Sequence, residues 1–341
     1  MAAPEFSPAR ETLAWNRALV DPAMRAAVDT LPPAMRRIAG YHLGWWDENG
    51  GTRPAPAGKA VRPALALLSA AAAGGSPREA VPAAVAVELV HNFSLLHDDV
   101  MDGDVTRRHR PTAWRLFGTG AAILAGDALL TLALDVLAAS GHPAAGSAMR
   151  MVSAAVQDLV EGQCTDVEFE QREFVELADC ERMAAAKTGA LIGCSCAVGA
   201  LYGDGDTAQV ARLRAFGEHV GLAYQHVDDL LGIWGDPAAT GKPAFSDLRS
   251  RKKSLPVAFA LTSDTAAGRT LARLYRRPGE PSDDDLRRAA VFVDAAGGRT
   301  WSRGEADELL ALALAELDAV GHGPAAAELM ALARLVTRRD R

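Results

Sequence analysis

Two acidic segments stand out by residue type and spacing. Asp98, Asp99 and Asp102 lie in His97-Asp98-Asp99-Val100-Met101-Asp102, and Asp228 and Asp229 close Tyr224-Gln225-His226-Val227-Asp228-Asp229. Both interrupt stretches that are otherwise apolar. Carboxylates on a buried helical face are costly unless they hold cations. On a helix, Asp98 and Asp102 share one face a turn apart. Like charges there repel, which argues for a cation between them. Mg2+ suits such a place: it takes oxygen ligands, keeps several waters and is usually shared with substrate phosphates. Asp99 points to another side of the helix and reads as support, bonded to a ligand water or a neighbouring base. The competing reading is a solvated acidic helix end, which is unfavourable because carboxylates there meet the negative end of the helix dipole. Asp228 or Asp229 could bind a third cation from an opposite wall. Alone, that pair fits a solvated helix end as well, and its weight comes from the first segment and from the basic residues around it. Two such walls, facing each other, would make a pocket for Mg2+ and a diphosphate.

The basic residues fall where phosphates would be. Arg107 and Arg108 follow the first segment, and arginine forks onto phosphate oxygens. Gly58-Lys59-Ala60-Val61-Arg62-Pro63 puts Lys59 and Arg62 at a helix start, where backbone N–H groups also favour anions. Lys187 stands among small residues in Ala186-Lys187-Thr188-Gly189, and Lys242 in Thr240-Gly241-Lys242-Pro243. Arg251-Lys252-Lys253 follows, and a solvated charge run explains it equally well.

The elements that must carry these groups read as helices. The chain has 341 residues, rich in Ala and Leu, with only 6% aromatics, a composition that favours helix. Helices are predicted across most of residues 1–50, then over 62–73, 78–102, 112–140, 144–172, 174–200 and 206–235. Pro63 is tolerated in a first turn, and Gly74-Gly75-Ser76-Pro77 is a break. The segment 235–256 is polar, basic and turn-rich, and is expected to be mobile without ligand. Helices resume at Val257 and become amphipathic from about Ala266. No strand-like alternation, repeat or sharp boundary is visible, so one all-α domain over 1–341 is expected.

Other classes lose support. A net charge of −7 does not suggest a nucleic-acid partner. Cys164, Cys180, Cys194 and Cys196 show no zinc spacing and read as reduced core residues. No uninterrupted apolar run reaches the roughly 18 residues of a membrane span, and the N-terminus has no signal pattern. A soluble cytoplasmic protein with no integral membrane segment is expected.

With these residues in place, the chain resembles the trans-isoprenyl diphosphate synthases. The likeness runs from about Gly58 to Pro256 and is carried by Gly58-Lys59-x-x-Arg62-Pro63, His91, the Asp98–Asp102 segment with Arg107-Arg108, and Gly126-Asp127. It continues through Lys187-Thr188, Tyr224-Gln225-x-x-Asp228-Asp229, Gly235-Asp236, Gly241-Lys242 and Lys252-Lys253-Ser254-Leu255-Pro256. The resemblance implies a large single-domain helical bundle around a central cavity, usually a homodimer. It implies Mg2+, up to three ions, on Asp98, Asp102 and Asp228. It implies an allylic diphosphate on Arg107, Lys187, Lys242 and Lys252, with isopentenyl diphosphate on Lys59, Arg62, His91 and Arg108. Thr188 and Gln225 would lie beside a developing cation. One position departs from the family: its second segment usually reads Asp-Asp-x-x-Asp, and here the last place is Gly232. A water could replace the lost carboxylate, or Asp236 could compensate.

The implied reaction is ionisation of an allylic diphosphate, attack by the isopentenyl double bond and loss of a proton, with the departing diphosphate as base. Product length would depend on Phe93 and Ser94, one turn before Asp98. That pair, with no insertion inside the acidic segment, resembles synthases of C20 chains, with C15 next. The alternatives are a terpene cyclase or irregular coupling enzyme, disfavoured by Lys59, Arg62 and His91, and a non-catalytic partner subunit, which Gly232 would suit. His97 and His226 read as packing or hydrogen-bonding groups, since Mg2+ prefers oxygen. Trp45 and Trp46 read as anchors of the N-terminal helices.

Overall fold

The computed structural model describes residues 8–52, 58, 60–237 and 243–338. Lys59 and Lys242, both expected at phosphates, lie outside the described residues. Helix dominates, as the Ala- and Leu-rich composition requires. In chain order the helices include α1 (Pro8–Asp29), α2 (Pro33–His42), α3 (Val61–Ala72), α4 (Val81–Met101), α5 (Ala113–Phe117) and α6 (Thr119–Ala138). There follow α7 (Ala145–Gln171), α8 (Leu177–Ala184), α9 (Ala190–Tyr202) and α10 (Thr207–Trp234). Further helices fill Ser246–Arg249, Leu255–Thr262, Ala266–Tyr275, Asp283–Ala295, Gly298–Asp318 and Pro324–Thr337.

Three local features depart from the sequence expectation. The run 112–140 is two helices, because Gly118 adopts φ 89, a conformation that favours glycine and stops α5. The run 174–200 contains a π-helical turn at Ala185–Gly189, between α8 and α9. A two-stranded ribbon also occurs, Thr106–Arg107 (β1) paired antiparallel with Arg110–Pro111 (β2). Each strand is too short for any alternation to register.

The chain divides into two compact units. The first comprises Met1–Val156, Leu191–Gly217 and Glu316–Leu332; the second comprises Gln157–Ala190, Glu218–Ala315 and Ala333–Arg341. In the first unit, α4 packs most extensively on α6. Leu89 and Leu96 of α4 and Leu129 and Leu137 of α6 are fully buried, each contributing roughly 1.5–3 kcal/mol of transfer free energy. Helix α9 lies almost backbone to backbone on α3: a Cβ at Gly199 would stand 2.1 Å from the carbonyl oxygen of Ala66. Any larger residue at 199 must push the helices apart.

The second unit has two apolar clusters. Ile233, Leu248, Val257, Leu271, Leu286 and Val293 form one, and Phe169, Val175, Cys180, Met183, Leu255 and Ala258 the other. Two of its helices start on side-chain caps: Thr265 Oγ1 accepts from Gly268 N at 2.9 Å, and Ser282 Oγ from Asp285 N at 3.2 Å. The reading of all cysteines as core residues needs one correction. Cys180, Cys194 and Cys196 are buried, but Cys164 is exposed on α7. Among the described residues, Thr119–Ala138 and Leu177–Tyr202 are long and apolar enough on average to cross a membrane. The latter is 72% buried, as a core helix would be.

Candidate active site

Helix α4 is mostly apolar, carries Glu88 midway, and gathers Asp98 and Asp99 at its last turn. Asp102 is its C-cap, and its N–H donates to Asp98 O at 2.8 Å, so the two residues stand one turn apart. Asp98 is half-buried and Asp102 exposed, while Asp99 is 1% exposed. Asp99 Oδ1 accepts from Arg107 Nε at 2.6 Å. Burial pushes the Asp99 carboxyl up to about 6, against the pull of Arg107.

Arg107 reaches Asp99 because the ribbon folds back over the end of α4. The ribbon turns at Arg108 and His109, with φ of 52 and 61. A two-residue hairpin with both central residues left-handed normally takes Asn-Gly or Gly-Gly. Arg and His there cost about 1–3 kcal/mol each, so surrounding contacts must hold them. Arg110 supplies part of that hold, donating to Tyr41 O at 3.2 Å and to Trp46 O at 3.0 Å with its guanidinium over the Tyr41 ring. Tyr41 Oη in turn donates to Pro111 O at 2.7 Å.

The strained turn delivers Arg108 into a half-buried polar cluster. Two of the residues assigned to isopentenyl diphosphate, Arg62 and Arg108, bear there on Glu88, and both also bear on a third, His91. Asn92 Nδ2 donates to Glu88 Oε1 at 3.2 Å. Burial raises the Glu88 carboxyl, and Arg62, Arg108 and Arg17 oppose that rise. His91 is held well below its ordinary range by burial and then by Arg62 and Arg108, so it is neutral. Burial likewise depresses Arg108, with Glu88 opposing. Arg17 of α1 donates to Gly58 O. His42 of α2 lines a small recess with Asp99, Arg107 and Arg108, and burial and those arginines push it down to about 3. Glu88, Arg17 and His42 were not singled out from the sequence, where they are ordinary members of helical stretches.

In the second unit, the end of α10 repeats the pattern of one exposed and one buried aspartate. Asp228 is exposed and Asp229 is 3% exposed. Asp229 Oδ1 accepts from Gln225 Nε2 at 2.8 Å and Oδ2 from Leu255 N at 2.8 Å. Gln225 Oε1 accepts from Thr188 Oγ1 at 2.6 Å. Thr188, Gln225 and Asp229 are thus one chain of hydrogen bonds, which fixes the amide of Gln225. Burial raises the Asp229 carboxyl.

Lys187 and Thr188 sit on the π turn, a departure from regular helix that often marks functional positions. Close packing of α7 accompanies it: a Cβ at Gly162 would fall 2.4 Å from Lys187 N. Lys187 Nζ lies 2.7 Å from Asp166 Oδ2. Burial alone would raise Asp166, but Lys252 and Lys187 outweigh it and hold the carboxyl below its usual range. Lys252 is half-buried, and desolvation opposes its charge; Asp166, Asp229, Asp247 and Asp228 outweigh that effect and raise its pKa. Asp166 and Asp247 escaped the sequence reading because neither lies in a recognisable acidic segment.

The two histidines beside the acidic pairs make internal contacts. His97 Nε2 is 3.0 Å from Ile123 O, and its ring meets Phe93 edge to face. His226 Nδ1 is 2.9 Å from Ser302 Oγ, and burial pushes it down to about 4. Phe93 and Ser94 are buried, and Ser94 Oγ donates to His91 O at 2.9 Å. Trp46 Nε1 donates to Arg37 O at 2.8 Å, and Arg25 lies over the Trp45 ring, which ties both indoles to the N-terminal helices.

The predominantly helical chain has the all-α fold of the isoprenoid synthases. The polyprenyl synthetase family model matches residues 49–293. A (2E,6E)-farnesyl diphosphate synthase of Mycobacterium tuberculosis is 50% identical over 84% of this chain and 81% of its own length. A geranylgeranyl diphosphate synthase of the same species is 45% identical over 95% and 92%. The crystal structure of a polyprenyl synthetase from Streptomyces coelicolor superposes with a TM-score of 0.91 at 46% identity, covering 96% of this chain and 98% of that one. The chain belongs to the polyprenyl synthetase family, and is a short-chain prenyltransferase of isoprenoid biosynthesis.

Proposed function

We propose that the protein condenses isopentenyl diphosphate with an allylic diphosphate, and that geranylgeranyl diphosphate is its main product, with farnesyl diphosphate next. The observation that carries the reading is the paired arrangement at two helix ends: an exposed carboxylate beside a buried, hydrogen-bonded one, each with basic residues at hand. The relatives' names divide between C15 and C20 products, so they do not choose between them.

The donors fit Mg2+ in kind. They are carboxylate oxygens, and Asp98, Asp102 and Asp228 are open enough to meet an ion. Among the described residues, no three His, Cys, Asp or Glu side chains converge as they would around a resident ion. Such a shell is completed by water and diphosphate oxygens, the usual manner of Mg2+. We assign up to three ions to Asp98, Asp102 and Asp228. Bound Mg2+ supplies charge neutralisation of the leaving diphosphate.

The chain's own residues do the rest. Arg107, Lys187 and Lys252, with Lys242 from the segment outside the described residues, bind the allylic diphosphate. Asp99 fixes Arg107 and Asp166 fixes Lys187, so little reorganisation remains when phosphate arrives. Arg62, His91 and Arg108, with Lys59, bind isopentenyl diphosphate, and the neutral His91 offers a hydrogen bond there without adding charge. Thr188 and Gln225 face the developing allylic cation with oxygen dipoles. Apolar helices exclude the water that would trap it. The two units act as one domain, and the protein works as a cytoplasmic homodimer.

The test is an assay with labelled isopentenyl diphosphate and each of dimethylallyl, geranyl and farnesyl diphosphate. Chain-extended diphosphates that vanish with EDTA support the proposal. Hydrocarbon products would indicate a cyclase or coupling enzyme, and no turnover with any partner a non-catalytic subunit. Phe93→Ala should lengthen the product; an unchanged distribution removes Phe93 from chain-length control.

A further inference from the structure

We infer that His42, Asn92 and Glu88 form one polar chain that holds Arg62 and Arg108 ready for isopentenyl diphosphate, with His42 as its outer anchor. The inference rests on reading Arg62 and Arg108 as residues that bind that substrate. Asn92 is 0% exposed on α4, one turn beyond Glu88. Its Nδ2 donates to Glu88 Oε1 at 3.2 Å and to Glu88 O at 2.8 Å. Both amide hydrogens are thereby engaged by acceptors, which fixes the orientation of the amide and turns Oδ1 the other way.

His42 stands where that oxygen needs a donor. Asn92 Oδ1 and His42 Nε2 are both enclosed, and neither has a hydrogen-bond partner within ordinary reach among the described residues. Buried polar atoms left in that state are costly. The two side chains nonetheless act on each other. Burial, Arg108 and Arg107 push the His42 imidazole down to about 3, and Asn92 opposes them, as an acceptor of its N–H does. A small rotation of either side chain, with the imidazole hydrogen on Nε2, closes the bond and satisfies both atoms. The backbone at His42 is already tied to the ribbon that carries Arg108. Arg110 donates to Tyr41 O at 3.2 Å, and Tyr41 Oη donates to Pro111 O at 2.7 Å.

Every donor in the chain then points toward Glu88, which favours its carboxylate form. Burial works against that form, and Arg62, Arg108, Asn92 and Arg17 oppose the burial. Two guanidinium groups gathered for one diphosphate repel each other until it arrives, and a carboxylate bearing on both offsets that repulsion. Each guanidinium has five N–H donors, so contact with Glu88 leaves others for phosphate oxygens. Arg108 has little room to rearrange: it stands at φ 52, and its Nη2 would lie 2.6 Å from a Cβ at Gly58. Glu88, Asn92 and His42 are therefore positioning residues, which act on the substrate only through Arg62 and Arg108.

Initial rates of the full chain test this, with labelled isopentenyl diphosphate varied at saturating geranyl diphosphate and Mg2+, and then the reverse. Glu88→Gln should raise the KM for isopentenyl diphosphate about 10-fold or more and leave the KM for geranyl diphosphate within about 2-fold. His42→Leu should raise the first KM about 3-fold, and His42→Gln, which keeps an N–H donor, should bring it back toward the parent. Glu88→Gln with His42→Leu should be little worse than Glu88→Gln alone, because members of one chain are not additive. Thermal midpoints identify a variant that does not fold; should Glu88→Gln be one, the pair His42→Leu and His42→Gln decides. Equal rises in both KM values, a fully additive double variant, or His42→Gln no better than His42→Leu overturns the inference. Arg108→Gln separates the two levels. If it raises the KM for isopentenyl diphosphate while Glu88→Gln and His42→Leu do not, the inference alone falls. If it leaves that KM at the parent's value, or the parent turns over no substrate, the site reading falls and the inference with it.

Discussion

The acidic groups of the two units are built differently. In the first unit Asp98, Asp99 and Asp102 all come from one helix end, and Arg107, which binds Asp99, arrives on a ribbon only a few residues later. In the second unit α10 supplies Asp228 and Asp229, α7 supplies Asp166, and a short helix supplies Asp247. The cations differ as well. The first unit gathers arginines, whose planar forks suit fixed bidentate contacts, and the second gathers lysines, compact charges that tolerate movement. A wall on one helix is specified by local spacing and needs little else to form. A wall drawn from several elements is specified by tertiary packing, so changes at remote positions can dismantle it.

The comparison can be broken at both ends. The largest effect is expected at the local wall: Asp98→Asn should lower kcat by about 10²–10³-fold, the scale of losing one group that stabilises transition-state charge. Its thermal midpoint should stay near the parent's, because Asp98 is half-buried and not part of the core. A loss of folding instead would make Asp98 structural.

At the distributed wall, Asp166→Asn should act on two lysines at once. Lys187 loses its partner at 2.7 Å and Lys252 one of its compensating charges. We expect about 10-fold or more in the KM for the allylic diphosphate, in line with loss of supporting contacts around a metal site. An unchanged KM would show that the lysines are positioned without it.

A smaller and different effect is expected at His42. Its folded pKa is depressed to about 3 by burial and by Arg108 and Arg107. On acidification the unfolded chain takes up a proton near its ordinary pKa while the folded chain does not. Stability from this residue is therefore complete above about 6.5 and is lost as pH falls toward 3. His42→Gln should flatten the acid limb of a urea-denaturation series over that window. A parallel limb in parent and variant would show that His42 titrates normally.

How much of this was legible in the sequence follows the same division. The helical runs were readable because Ala and Leu recur with few breakers, and the Asp98–Asp102 face because a four-residue spacing has only one meaning on a helix. Arg62, His91 and Arg108 were chosen as one set from the resemblance, and in the structure Arg62 and Arg108 bear on both Glu88 and His91. Glu88 itself was not legible, since one carboxylate inside an apolar helix gives no hint of the arginines it will meet. The type of turn at Arg108 and His109 was equally hidden, because its usual marker is glycine. The π turn at Lys187 depends on the approach of α7 at Gly162, a tertiary contact with no local signature. Asp247 was invisible for the same reason.

The central proposal is that Asp98 and Asp228 each serve a metal-bound diphosphate. Calorimetric titration of inorganic pyrophosphate into the parent, Asp98→Asn and Asp228→Asn tests it most directly. The account predicts binding that requires Mg2+ and a strong loss in each variant. Variants that bind as the parent does, or binding that survives without Mg2+, would contradict it.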